Sequence, residues 1–195
     1  MSMDFRIPGR SLALVALLGT LAFVAAGCGT PAAGPAGAGA QARALEFKNT
    51  YLSFRYPASW RPLVFRQAQA LHSSPMVYLS TQPGRAACGT DCAWPVSQLH
   101  PGGILVVWEN RGYPGWTLGS IPGKPLHVDG RAARRIVSRP GVCAAIGADE
   151  TVVVSVARPL AYNWTQITAC LRGPRLAATE RQLARVLAST HFLNP

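Results

Sequence analysis

Lysine is nearly missing from this chain: Lys48 and Lys124 stand alone among 19 basic residues, and only 8 carboxylates oppose them. The rest of the positive charge is arginine. With the excess of Ala and Gly, that skew is what a high-GC genome produces, so arginine abundance alone says little about function. The net charge of +11 still favours anionic partners, such as phospholipid headgroups or wall polymers. No nucleic-acid recognition motif accompanies it, which argues against DNA or RNA. Catalytic motifs are wanting too. There is no Gly-x-Ser-x-Gly elbow, no phosphate-cradling glycine loop and no His-Glu-x-x-His helix. His72, His100, His127 and His191 are scattered, none at ligand spacing from another. The expectation is a non-enzymatic protein without cofactor or metal. No apolar run after residue 26 is long enough to cross a membrane.

What the chain does have is a leader. Arg6 and Arg10 precede an apolar run over 11–26, then Ala25-Ala26-Gly27 and Cys28. A charged start, an apolar stretch and small residues at its end describe a secretory signal. The run is too short for the roughly 20 residues of a span and contains Gly19. Arg6 and Arg10 are not adjacent, so twin-arginine export is not indicated. Ala25-Ala26-Gly27-Cys28 resembles the lipobox of bacterial lipoproteins, with Ala25 where Leu is usual. That resemblance implies cleavage before Cys28, a lipid on its thiol, and an extracytoplasmic protein held at the cell membrane. Two or more acyl chains anchor stably where one does not. Residues 1–27 are then a signal peptide, 28–44 a lipidated Cys with its tether, and 45–195 one globular domain.

The tether composition is Gly, Ala and Pro with almost no large apolar side chain, which cannot build a core. Its root-mean-square reach is about 20–24 Å. Beyond it stand Cys88, Cys92, Cys143 and Cys170. An even number in an exported domain points to two disulfides with three possible connectivities. The local pairing, Cys88–Cys92 with Cys143–Cys170, is favoured. Zinc held by Cys88, Cys92 and His100 is the alternative, but it lacks a fourth ligand.

Within the domain, Leu52, Phe54 and Tyr56 alternate with polar residues as a half-buried strand does. Residues 63–65 and 76–80 read as further strands, and 104–108 as a central strand buried on both faces. Residues 82–103 and 110–123 are rich in Pro and Gly and read as loops. Strands are expected over 131–138, 151–158 and 163–171, the middle one strongly β-branched. After Gly173-Pro174 the period changes to a helix, with Leu176, Leu183, Val186, Leu187 and Thr190 on one face. Proline suits its first turn. The expected fold class is α+β, an antiparallel sheet with a C-terminal helix.

The stretch Tyr51-Leu52-Ser53-Phe54-Arg55-Tyr56-Pro57-Ala58-Ser59-Trp60 resembles the opening hairpin of PsbP-like domains. There a strand ending in Tyr-Pro is followed closely by Trp. Val128-Asp129-Gly130-Arg131 turning into a strand, and a closing helix before His191-Phe192, are similar to the same plan. Ala169-Cys170-Leu171-Arg172-Gly173-Pro174 is similar to actinobacterial secreted lipoproteins of the LpqN type. The resemblance implies a PsbP-like sandwich that serves as a binding or assembly module. No manganese, calcium or chloride site carries over, because no residues here match one.

Two candidate surfaces remain. Trp108, Glu109, Arg111, Tyr113 and Trp116 crowd aromatic and polar side chains after a buried strand, a composition that could stack on and hydrogen-bond a sugar or a lipid headgroup. The competing reading is that Tyr113 and Trp116 fold back over the sheet. Arg134, Arg135 and Arg139 form the densest basic cluster, a candidate for an anionic envelope polymer. Arg134 and Arg135 should point to opposite sides of their strand. Asp149-Glu150 should likewise diverge. The expected partners are the membrane, through lipid, and an envelope protein or anionic component. A small-ligand, lipid or glycan carrier is the alternative, and a hydrolase the third reading.

Overall fold

Leu52, Phe54 and Tyr56 are all buried while Arg55 between them is exposed, so alternation alone orients the strand they occupy. The computed structural model describes residues 43–66, 72–86, 93–158 and 163–193. Cys28, most of the tether, Cys88 and Cys92 lie outside the described residues. From Gln41 to Pro195 the chain is one compact unit. Its elements are β1 (Ala44–Lys48), β2 (Leu52–Pro57), β3 (Arg61–Leu63), β4 (Ser73–Ser80), β5 (Ile104–Gly112), β6 (Lys124–Val128), β7 (Arg131–Ser138), β8 (Glu150–Ala157), β9 (Asn163–Leu171), α1 (Leu176–Ala188) and β10 (His191–Phe192).

All pairing is antiparallel. A seven-stranded sheet runs β3-β4-β5-β9-β8-β7-β6, and a three-stranded sheet runs β1-β2-β10. The architecture is α+β, mostly β, as the residue pattern implied. Strands β7 and β9 have the expected bounds. Three short strands were not expected: β1 at the tether's edge, β6 directly after the presumed 110–123 loop, and β10 after the helix.

The large sheet is apolar on both faces. On one face Leu79, Val106, Trp108, Val154, Ile167 and Ala169 meet Phe54 of β2 and Leu183, Val186 and Leu187 of α1. On the other, Tyr78, Leu105, Val107 and Cys170 meet Val96, Leu99, Cys143 and Ile146 from the connecting segments. Residues 104–108 are thus buried throughout, as a central strand requires. Cys143 and Cys170 are bonded, with Cα atoms 5.5 Å apart and both fully buried. The helix starts at Leu176, so Pro174 lies just before the first turn, not in it. No helix among the described residues is long and apolar enough to cross a membrane.

The β6–β7 turn fastens the chain's end. Asp129 and Gly130 both have positive φ, 52° and 72°, the pair that a tight two-residue hairpin demands. Asp129 Oδ2 accepts the Phe192 N–H at 2.8 Å, and its Oδ1 lies 3.0 Å from Nδ1 of His191. Its slight burial pulls the carboxyl upward, but those contacts outweigh it and hold the group below the ordinary aspartate range.

Candidate functional site

The aromatic segment does not form one surface. Strand β5 continues past Trp108 to Gly112, because Glu109, Asn110 and Arg111 have partners on both neighbours, as in Ser73↔Arg111 and Arg111↔Trp164, and Gly112 pairs with Asn163 of β9. Alternation then sorts the segment. Trp108 faces the main core, fully buried and stacked on Phe54 with centroids 4.6 Å apart. It is therefore withdrawn as a binding residue. Glu109 and Arg111 point to the opposite face, where Arg111 Nε donates to Glu109 Oε2 at 2.9 Å and Ser73 Oγ donates to the same oxygen at 2.8 Å. Burial, reinforced by the negative Glu109, pushes the Tyr78 hydroxyl well above the ordinary tyrosine range. Beyond the strand, the chain folds back. Trp116 stacks on Trp164 at 4.5 Å with 7° between the planes, and its indole N–H is buried. Tyr113 remains 59% exposed, edge-on to His72. Packing, rather than recognition, accounts for four of the five residues.

The basic cluster also divides. Arg135 points toward α1 and pairs with Glu180 at 2.6 Å. Arg134, its neighbour, donates to the Gly123 carbonyl at 3.2 Å. Arg139, past the end of β7, donates through Nε and Nη2 to Glu150 Oε2, each at 2.8 Å. Two of the three charges are thus neutralised, and no concentrated positive patch exists here. Alternation separates Asp149 from Glu150 as expected: Asp149 Oδ2 accepts the Gly173 N–H at 2.7 Å.

A carboxyl pair is the feature that residue order concealed. Glu150 opens β8 and is 0% exposed. Glu180 reaches toward it from α1. Burial raises the Glu150 carboxyl above the ordinary glutamate range, Arg139 opposes that, and Glu180 reinforces it. Oε1 of Glu150 is buried and has no hydrogen-bond partner. Two carboxyls and two guanidiniums thereby join β7, β8 and the helix. A raised acid beside a second acid is what general acid–base chemistry uses, but a closed Glu150 offers a substrate no approach. The arrangement is a clasp. In the sequence Glu180 looks like a wet helix residue; only the docking of α1 reveals its partner.

Beside the clasp runs a groove of about 530 Å³ between α1 and the β6–β7 hairpin. Leu126, Leu183, Ala184 and Leu187 give it an apolar lining, while His127 and Arg181 also line it, with the Arg135–Glu180 pair at one side. Alanines at 177, 184 and 188 keep the helix flank low enough to leave it open. Strand β6 is the sheet's edge, so one row of its backbone groups has no strand partner among the described residues. The volume falls within the roughly 300–1,000 Å³ of small-molecule pockets. No protein-family model and no curated protein matches this chain.

Proposed function

We propose that this chain is a lipid-anchored extracytoplasmic binding module, fastened through Cys28 and built on a PsbP-like domain, that works by binding and not by catalysis. The observation that carries the reading is the α1/β6–β7 groove. It is apolar, has a charged side, and lies beside an open strand edge. Such a surface suits an envelope protein that lays a short apolar segment along the helix and hydrogen-bonds to β6. The enclosure of Glu150 supports binding over hydrolysis. The carrier alternative rests on this groove in place of the aromatic loop, since its lining and volume also suit an amphiphile with an anionic end beside Arg181.

Crosslinking and affinity capture from the native envelope test the reading, with Ala184→Trp as the variant that fills the groove. The expected result is one dominant co-purifying component, lost in that variant. A protein component supports the assembly role; an extractable amphiphile supports the carrier role. Identical capture by both forms contradicts the groove as the site.

A further inference from the structure

We propose that the cleft between β2 and the C-terminal half of α1 binds the phosphate of an anionic phospholipid headgroup, so that the domain rests on the leaflet holding its own anchor. The proposal depends on the lipid-anchor reading and goes beyond it, since a tether alone leaves the domain free to face any way.

The cleft is about 240 Å³. Tyr56, Pro57 and Val186 contribute apolar lining; Arg55, Arg185 and Gln182 contribute donors. No carboxylate lines it. Both arginines are exposed, and neither takes part in the ion pairs among the described residues, which join Arg111 to Glu109, Arg135 to Glu180, Arg139 to Glu150 and His191 to Asp129. The only acid opposite Arg55 on the hairpin is Glu46, which lies outside the cleft lining. Ser189 Oγ, at the helix end, accepts the Arg55 N–H at 2.9 Å and so holds β2 against α1 with the cleft between them. Guanidinium groups are suited to phosphate, and an apolar lining between them accepts the first carbons of a glycerol ester.

Position selects the occupant. Ala44, the first residue of β1, itself lines the cleft, and Arg43 precedes it. Only residues 29–43 separate this point from Cys28. The tether therefore enters the domain at this face. Charge is felt over only about 8 Å at physiological salt, so a basic cleft acts on a membrane only in contact, and a cleft at the tether's root can make that contact without stretching the chain.

The test uses the full lipidated chain in nanodiscs of phosphatidylcholine alone, or of phosphatidylcholine mixed with phosphatidylglycerol, followed by hydrogen exchange. Exchange over residues 44–57 and 182–189 should slow severalfold in the anionic discs, and high salt or the double variant Arg55→Gln/Arg185→Gln should abolish the difference. Stable association with both discs and equal exchange in them overturns the headgroup site while leaving the anchor intact. Failure to associate with either overturns both. Protection that survives in the double variant, or that falls instead on the β6–β7 hairpin, also overturns the site.

Discussion

Trp116 lies flat on Trp164, 4.5 Å between ring centroids, and so closes part of the sheet face that β9 presents away from the helix. Trp164 is 8% exposed beneath it. Truncating a fully buried Trp costs about 3–5 kcal/mol. Trp116 is half-buried, so Trp116→Ala should cost about 2–3 kcal/mol, including the stacking contribution. At this chain length each kcal/mol lowers Tm by about 2–4 °C. Thermal denaturation that finds no change would return this segment to the list of recognition surfaces.

The bond between Cys143 and Cys170 closes a separation of 27 residues. The chain-entropy relation gives about 3.5 kcal/mol for such a loop. Replacing both cysteines with Ala should lower stability by about that amount, since the two lie in the second core beside Leu105 and Val107. Peptide mapping without reduction should recover the 143–170 link. Linkage of either cysteine to Cys88 or Cys92 would contradict the pairing.

The clasp predicts a pH dependence. Burial raises the Glu150 carboxyl in the folded protein, with Arg139 opposing and Glu180 reinforcing the shift. A raised folded value means that the protonated form is the one folding favours. Its contribution is complete below the ordinary glutamate range and is lost as pH rises through the folded value. Glu150→Gln keeps the shape without that titration, so the Tm of the variant relative to the native chain should rise as pH increases from the ordinary glutamate range. Asp129 works the other way, because contacts with Phe192 and His191 lower it against its slight burial. Its contribution is present above the ordinary aspartate range and lost as pH falls through the folded value, and Asp129→Asn should remove that loss.

Much of the fold was legible because the signals were local. The β-branched run of β8 and the 3.6 period of α1 leave little choice. Strand β6, Lys-Pro-Leu-His-Val, carries no such pattern, since an edge strand tolerates proline and polar residues that a central one rejects. The aromatic segment misled for a related reason. Glu109 and Arg111 look like loop chemistry, yet they continue β5 on its less apolar face as an ion pair. Neither the groove nor the carboxyl pair was readable at all. Both depend on where α1 settles, and Glu150 meets Glu180 across 30 positions of sequence with no motif to mark it.

The proposed localisation rests on Cys28. Cys28→Ala should abolish labelling by a fatty-acid probe and either release the protein from the membrane fraction or leave an uncleaved precursor. Unchanged labelling would remove the anchor and everything argued from it.

The α1/β6–β7 groove is the centre of the account, and a photoreactive residue placed at position 184 tests it in the native envelope. Val142, 66% exposed and outside the groove lining, is the control position. The account predicts a discrete adduct from position 184, none from position 142, and loss of the adduct when Ala188→Trp fills the groove without lowering Tm. Equal adducts from both positions, or none from position 184, would contradict it.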